Sequence, residues 1–114
     1  MKRIILDTNF LIYCASYKID LFTEIERICD FPYKLYVLDL TIKELEKVKP
    51  KNLVLIKRYI EKMEIINSGL SYVDDELSRL SSLGDIIATQ DKGVKDKLSS
   101  NVIIIRKKKY LELK

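Results

Sequence analysis

The stretch Arg3-Ile4-Ile5-Leu6-Asp7-Thr8-Asn9 decides the fold. Ile4, Ile5 and Leu6 form an apolar run with no polar alternation. Such a run reads as a strand covered on both faces, the kind found inside parallel sheets. Asp7 ends it, and Phe10-Leu11-Ile12 with Cys14 and Ala15 open a helix at once. The same order recurs further along. Ile86-Ile87-Ala88-Thr89 is a second apolar run, followed by Asp91 and a helix carrying Val94 and Leu98. Residues 34–38 and 102–105 read as two more buried strands.

Between the strands the apolar residues recur at helical spacing. Asp20 is placed to cap a helix carrying Leu21, Phe22, Ile25 and Ile28, and Asp30-Phe31-Pro32 breaks it. A helix is expected from Thr41 to about residue 48, and another from a cap at Asn52 to about residue 62. A third spans residues 76–83, with Gly84 as its C-cap. Glu64-Ile65-Ile66 reads as a short edge strand, Asn67-Ser68-Gly69 as a turn, and Tyr110–Leu113 as a tail strand after the basic turn 106–109. Strands alternating with helices predict a three-layer α/β/α sandwich around a mostly parallel sheet of four to five strands. Residues 1–114 form a single domain, without internal repeat or linker.

Composition removes several chemistries. The 114 residues contain no histidine, which excludes a Ser-His-Asp triad, a Cys-His pair and every histidine-bearing zinc site. Cys14 and Cys29 sit at apolar helix positions and are expected to be buried structural thiols. No apolar run approaches the length of a membrane span, and Asp7 interrupts the short apolar stretch after the basic start. A soluble cytoplasmic protein is therefore expected. Lys and Arg number 21 against 17 acids, for a net charge of +4, which favours a polyanionic partner.

The acids fall in a pattern. Asp7 follows the first strand, Glu44 lies near the start of the helix after the second, Asp74 and Asp75 begin the helix before the third, and Asp91 follows that strand. Each alone fits helix capping or the helix dipole, and Thr41-x-x-Glu44 has the form of a capping box. Together they point elsewhere. Loops at the carboxyl ends of parallel strands surround one crevice. Several carboxylates in one crevice repel one another, and a divalent cation removes that cost. Oxygen-only donors select Mg²⁺ or Mn²⁺, which can support phosphodiester hydrolysis.

Four segments carry a family resemblance: Ile4-Ile5-Leu6-Asp7-Thr8-Asn9-Phe10-Leu11, Thr41-Ile42-Lys43-Glu44-Leu45, Val73-Asp74-Asp75-Glu76-Leu77 and Ile86-Ile87-Ala88-Thr89-Gln90-Asp91-Lys92. In this order they resemble the acidic motifs of PIN-domain nucleases, end to end. The closing stretch 102–110 resembles the archaeal and eukaryotic branch linked to ribosomal RNA processing, with VapC-type toxins more distant. The resemblance implies an Mg²⁺- or Mn²⁺-dependent endoribonuclease acting on RNA, such as a ribosomal precursor, and leaving 5′-phosphate and 3′-hydroxyl ends. It implies Asp7, Glu44, Asp75 and Asp91 as catalytic metal-site acids, with Asp74 as the further acid of its pair. Asn9 would orient Asp7 by a hydrogen bond, and Thr89 would set its hydroxyl near a water or phosphate. Two departures stand out: Asp85 replaces a small or apolar residue, and residues 47–52 are compact.

Lys47, Lys92, Lys95, Arg106 and Lys107 are candidate RNA-phosphate contacts, and Tyr13, Tyr17 and Tyr72 candidate base-stacking residues. A homodimer is a possible assembly, with helices near residues 10–28 as its face. The rival readings are a non-catalytic RNA-binding scaffold and a VapC-type toxin ribonuclease.

Overall fold

The computed structural model of the chain describes residues 1–68, 72–98 and 101–114. The strands are β1 (Lys2–Leu6), β2 (Tyr33–Leu38), β3 (Glu64–Ile66), β4 (Ile86–Ala88), β5 (Val102–Arg106) and β6 (Tyr110–Leu113). They form one six-stranded sheet in the order β3-β2-β1-β4-β5-β6. All pairings are parallel except β5 with β6. The expectation of four to five strands is corrected to six, because both short edge segments join the sheet.

The helices are α1 (Thr8–Ser16), α2 (Leu21–Ile28), α3 (Asp39–Val48), α4 (Leu53–Glu61), α5 (Val73–Ser82) and α6 (Lys92–Lys97). Successive strand side chains point to opposite faces, so β1, β2 and β4 feed two cores. Ile4, Leu6, Val37, Ile86, Ala88 and Ile103 face the layer carrying Phe10, Leu11, Leu21, Ile25 and Ile56 from α1, α2 and α4. Ile5, Leu38 and Ile87 face Leu77 and Leu80 of α5 and Val94 of α6. This is the three-layer sandwich, and it explains why β1 and β4 show no polar alternation. Cys14 and Cys29 are free and buried, as expected. No helix of the described residues is long and apolar enough to cross a membrane.

On the helices expected as a dimer face, Phe10, Leu11, Leu21 and Ile25 are fully enclosed in the core, while Tyr13 is exposed. Exposed apolar side chains also include Val54 and Leu55 on α4.

The edge strand β6 is secured by side chains. Leu111 pairs with Ile105 but turns its own N–H and C=O outward. The N–H donates to Glu24 Oε1 at 2.8 Å, and Arg27 donates to the carbonyl at 2.8 Å. Glu24 and Arg27 also bind each other. The pair therefore acts as a short substitute strand, satisfying an edge that would otherwise be open.

Other ends follow local rules, with corrections. Asp20 caps α2 by accepting from the Thr23 N–H. Gly84, at φ +99°, ends α5 as its amide donates to Ser81 O and that of Asp85 donates to Leu80 O, a Schellman pattern. Asn52 makes no side-chain cap bond at α4. Asp85 is explained by Arg3, whose guanidinium lies 3.2 Å from its carboxylate at the amino ends of β1 and β4. Gly69, the last residue of the expected turn, lies outside the described residues.

Candidate active site

The crossovers leave β1 and β4 on opposite sides. α1 and α2 lead from β1 to β2 on one face, while α6 leads from β4 to β5 on the other. Between the carboxyl ends of β1 and β4 the two loops part, which is the crevice where open α/β sheets bind ligands. Asp7 and Asp91 lie there.

Asp7 is nearly enclosed, at 5% exposure. Its backbone N–H continues the sheet by donating to Ala88 O at 2.9 Å. One carboxylate oxygen accepts from the Thr8 N–H at 2.8 Å, and the other accepts from the Thr89 hydroxyl at 2.8 Å. Burial raises the Asp7 pKa above the ordinary carboxylate range. The Thr89 and Thr8 hydrogen bonds work against that rise, and the charges of Glu44 and Asp74 add to it. Three acids from three parts of the chain thus share one electrostatic neighbourhood.

Thr89 is fully enclosed and its role differs from the one expected. Rather than facing a water or phosphate, its hydroxyl donates to Asp7 and accepts from the Asp91 N–H at 3.1 Å. It joins the acidic residues after β1 and β4 in one chain of hydrogen bonds. The orienting role assigned to Asn9 falls to Thr89, and Asn9 itself is exposed. Asp91 caps α6, with Oδ1 accepting from Gly93 N–H at 2.8 Å and Val94 N–H at 3.3 Å. A Cβ at Gly93 would stand 3.2 Å from that oxygen, so the bare glycine gives the carboxylate room.

The remaining acids are not caps. α3 begins at Asp39, five residues before Glu44, so the capping box with Thr41 does not form. Neither α3 nor α5 has a side-chain cap bond. Glu44, Asp74 and Asp75 are exposed and line a cleft of about 450 Å³, with Tyr72, Val73 and Lys97. Tyr72 is 81% exposed on its rim. Of the adjacent pair, Asp74 is the residue whose charge reaches Asp7, while Asp75 lines the same cleft. Asp7 and Asp91 are not among the walls of this cleft.

Lys97, one of the lysines that follow Asp91 in the sequence, brings a cation into the cleft. Two contributors were not singled out from sequence. Gln90 extends the β4–β5 pairing with its side-chain amide, accepting from the Ile105 N–H at 2.6 Å and donating to the Ile105 carbonyl at 3.5 Å. Asp39 follows β2 and holds Ser68 through the Ser68 N–H at 3.0 Å and hydroxyl at 2.6 Å. The Ser68 hydroxyl is the main reason that the Asp39 pKa lies below its usual range. Their sequence signal is weak, since each acts on a partner distant along the chain. Of the candidate phosphate contacts, Lys47, Lys92 and Lys107 are exposed and Lys95 is half-buried. Arg106 is engaged by Glu112 across the β5–β6 hairpin at 3.1 Å.

The donor set suits a hard cation, since the acids gathered there offer carboxylate oxygens and the chain has no histidine. Two buried hydroxyls, Thr8 Oγ1 beside Asp7 and Thr41 Oγ1 one turn before Glu44, have no hydrogen-bond partner. Among the described residues no three acidic, histidine or cysteine groups stand close enough to cage an ion.

An open, mostly parallel sheet with an acidic crevice at its switch point defines the class of protein. The chain belongs to the PIN-like domain family, whose profile, described as "PIN like domain", matches residues 4–109. Ribonuclease VapC4 of Methanocaldococcus jannaschii is 33% identical over 129 aligned positions, covering 99% of this chain and 97% of that protein. Among solved structures, that of the PIN domain endonuclease Utp24 matches with a TM-score of 0.82 at 22% identity, covering 98% of this chain and 90% of that one. VapBC2 from Rickettsia felis, bound to a DNA fragment from its promoter, matches with a TM-score of 0.59 at 16% identity, covering 91% and 99%. At these identities the two structures establish a shared fold.

Proposed function

We propose that the chain is an endoribonuclease that hydrolyses RNA phosphodiester bonds with Mg²⁺ or Mn²⁺. The observation that carries this reading is Asp7, a buried carboxylate whose ionisation is opposed by burial and by Glu44 and Asp74. Such a grouping is unfavourable by itself and becomes favourable when it holds a cation. Its neighbours in the family, a protein named as a ribonuclease and a fold named as a PIN endonuclease, support the same reading.

Asp7, Glu44 and Asp74 are the residues that would hold the ion, with Asp75 and Asp91 completing the acidic surround. When bound, the ion would polarise the phosphate and lower the pKa of the attacking water. The chain's own residues set the geometry. Thr8 and Thr89 fix both oxygens of Asp7, and the α6 amides fix Asp91. Lys97 offsets phosphate charge inside the cleft, and Lys47, Lys92, Lys95 and Lys107 supply sequence-independent contacts along the strand. A ribosomal precursor is the proposed RNA, and two free thiols agree with action in the reducing cytoplasm.

The test is cleavage of single-stranded and structured RNA in Mg²⁺, Mn²⁺ or EDTA by the parent and by Asp7→Asn. Asparagine still caps a helix, so a loss reports the charge rather than the fold. Metal-dependent cutting that the substitution abolishes is expected, with 5′-phosphate ends. Equal cutting by both proteins would refute the assignment, and binding without cutting would identify a scaffold. The identity to VapC4 favours a second role, that of a toxin ribonuclease. Growth arrest on expression of the parent, absent with Asp7→Asn, would distinguish it.

A further inference from the structure

Among the described residues, every non-glycine position with a left-handed backbone is a lysine: Lys18 (φ 56°), Lys49 (φ 50°), Lys107 (φ 52°) and Lys108 (φ 57°). Glycine, asparagine and aspartate ordinarily take such positions, because a longer side chain is strained there. Lys107 and Lys108 are the two central residues of the β5–β6 turn, closed by Lys109 N–H donating to Arg106 O at 3.0 Å. Positive φ at both residues makes it the turn for which Asn-Gly is the favoured pair. Two lysines there are a poor local choice for a hairpin and place two cations at an exposed tip.

The tip is aimed. β5 runs parallel to β4, and Ile103 pairs with Ala88. Lys107 therefore stands roughly 13 Å beyond the level of Ala88, on the carboxyl edge of the sheet that carries Asp7 and Asp91. Lys108 Nζ lies 5.8 Å from the centre of the Tyr17 ring. Tyr17 stacks on Tyr13, with ring centres 5.7 Å apart and planes 12° from parallel, and Tyr13 is 42% exposed. Tyr13 is on α1, the helix that Asp7 caps, and Tyr17 is its C-cap. They lie about 9 and 15 Å along its axis from Asp7. Lys18 follows Tyr17 directly.

The geometry points to a docking platform for single-stranded RNA, built from the Tyr13–Tyr17 stack and the cations of Lys18, Lys107 and Lys108, which holds the strand beside the acidic crevice. This rests on the ribonuclease reading and deepens it. Unpaired bases stack on exposed aromatic rings whatever their sequence, while lysines follow the phosphates. Rings without cations would suit an apolar partner, and cations without rings any polyanion. The combination selects a strand with accessible bases.

The test measures binding of the parent protein in EDTA to a short fluorescein-labelled single-stranded oligouridylate by anisotropy, across salt concentrations. Inorganic polyphosphate, which has no bases, is the competitor. Tyr13→Ala is expected to weaken oligouridylate binding about ten-fold, leaving polyphosphate affinity unchanged, and Tyr13→Trp to restore it. The double change Lys107→Asn, Lys108→Gly is expected to weaken both ligands and reduce the magnitude of the salt slope by about 1.4, for two phosphates lost. Its melting temperature should stay level or rise, because Asn-Gly suits the turn, so the loss is not one of folding. Unchanged oligouridylate affinity in Tyr13→Ala, or an unchanged salt slope in the double variant, overturns the platform. Equal losses for oligouridylate and polyphosphate in Tyr13→Ala also overturn it, leaving a generic polyanion surface. Cleavage by the parent in Mn²⁺ is scored separately. No cleavage with the binding pattern intact removes only the nuclease reading, and cleavage with binding unaffected by these changes removes only the platform.

Discussion

Thr89→Val replaces a hydroxyl by a methyl of similar size at a fully enclosed position. Two hydrogen bonds go: the hydroxyl no longer donates to Asp7, and the Asp91 N–H loses its acceptor. With Asp7 ionised, the first is charge-assisted and contributes about 1.5–3 kcal/mol. The second is a neutral bond in a half-buried setting and contributes about 0.5–1.5 kcal/mol. With Asp7 ionised, the expected loss in metal-free buffer is therefore about 2–4.5 kcal/mol, or roughly 8–18 °C in melting temperature for a chain of this length.

The loss should depend on pH. The Asp7 pKa is raised in the folded protein, first by burial. The stability linked to this group is therefore fully present below the unfolded pKa of about 3.8 and declines as pH rises through the folded value. Thr89 holds that folded value down, so removing its hydroxyl pushes it further up and widens the range of decline. Below the folded pKa the lost Asp7 bond is a neutral one, contributing only about 1 kcal/mol. Urea unfolding in EDTA, at neutral pH and near pH 4, gives the two losses directly. A loss below about 0.5 kcal/mol at both would refute the Thr89–Asp7 bond and with it the link between the two acidic loops.

Burial pushes the Cys14 thiol pKa up to about 12. At pH 8 roughly one molecule in ten thousand would carry the thiolate, so iodoacetamide should label Cys14 only after denaturation. Glu24→Ala should lower the melting temperature and speed amide exchange at Leu111, since that N–H loses its acceptor. The Glu24 pKa is lowered, chiefly by Arg27, so the parent should lose this anchoring as pH falls through the folded Glu24 pKa, and the variant should show no such loss. Gly93→Ala should leave the melting temperature within a few degrees but reduce RNA cleavage, because the new methyl crowds the Asp91 carboxylate, which its own amide bonds prevent from retreating.

The central strands were readable from sequence because β1, β4 and β5 are runs of Ile, Leu, Val and Ala that need cover on both faces. The Gly84 stop and the Asp20 cap were readable because each acts within a few residues. What escaped was set by contacts distant along the chain. α3 begins at Asp39 rather than Thr41, where the Asp39 carboxylate also holds Ser68 from the next strand's end. The Thr89 hydroxyl meets a residue 82 positions away, so no spacing rule could assign it to Asp7. The choice between Asp74 and Asp75 turns on about 100° of helix rotation, which the motif alone does not fix.

The division of labour among the acids bears on mechanism. Asp7 and Asp91 accept backbone N–H bonds, which hold them in place at the carboxyl ends of β1 and β4. Asp74 and Asp75 gain from the dipole of α5 but make no cap bond, and Glu44, in the second turn of α3, gains neither advantage. Glu44 and Asp74 instead raise the pKa of Asp7, an interaction that disfavours the ionised fold. Capping therefore accounts for where the fixed acids sit and not for why the others face them. A cation reverses the sign of that interaction, because only the ionised carboxylates bind it. The same repulsion that weakens the metal-free protein then becomes attraction, so Glu44→Gln should stabilise the protein in EDTA while weakening Mn²⁺ binding measured by calorimetry. A loss of stability in EDTA would show instead that Glu44 holds the fold together, and the acidic crevice would lose its reason to be a metal site.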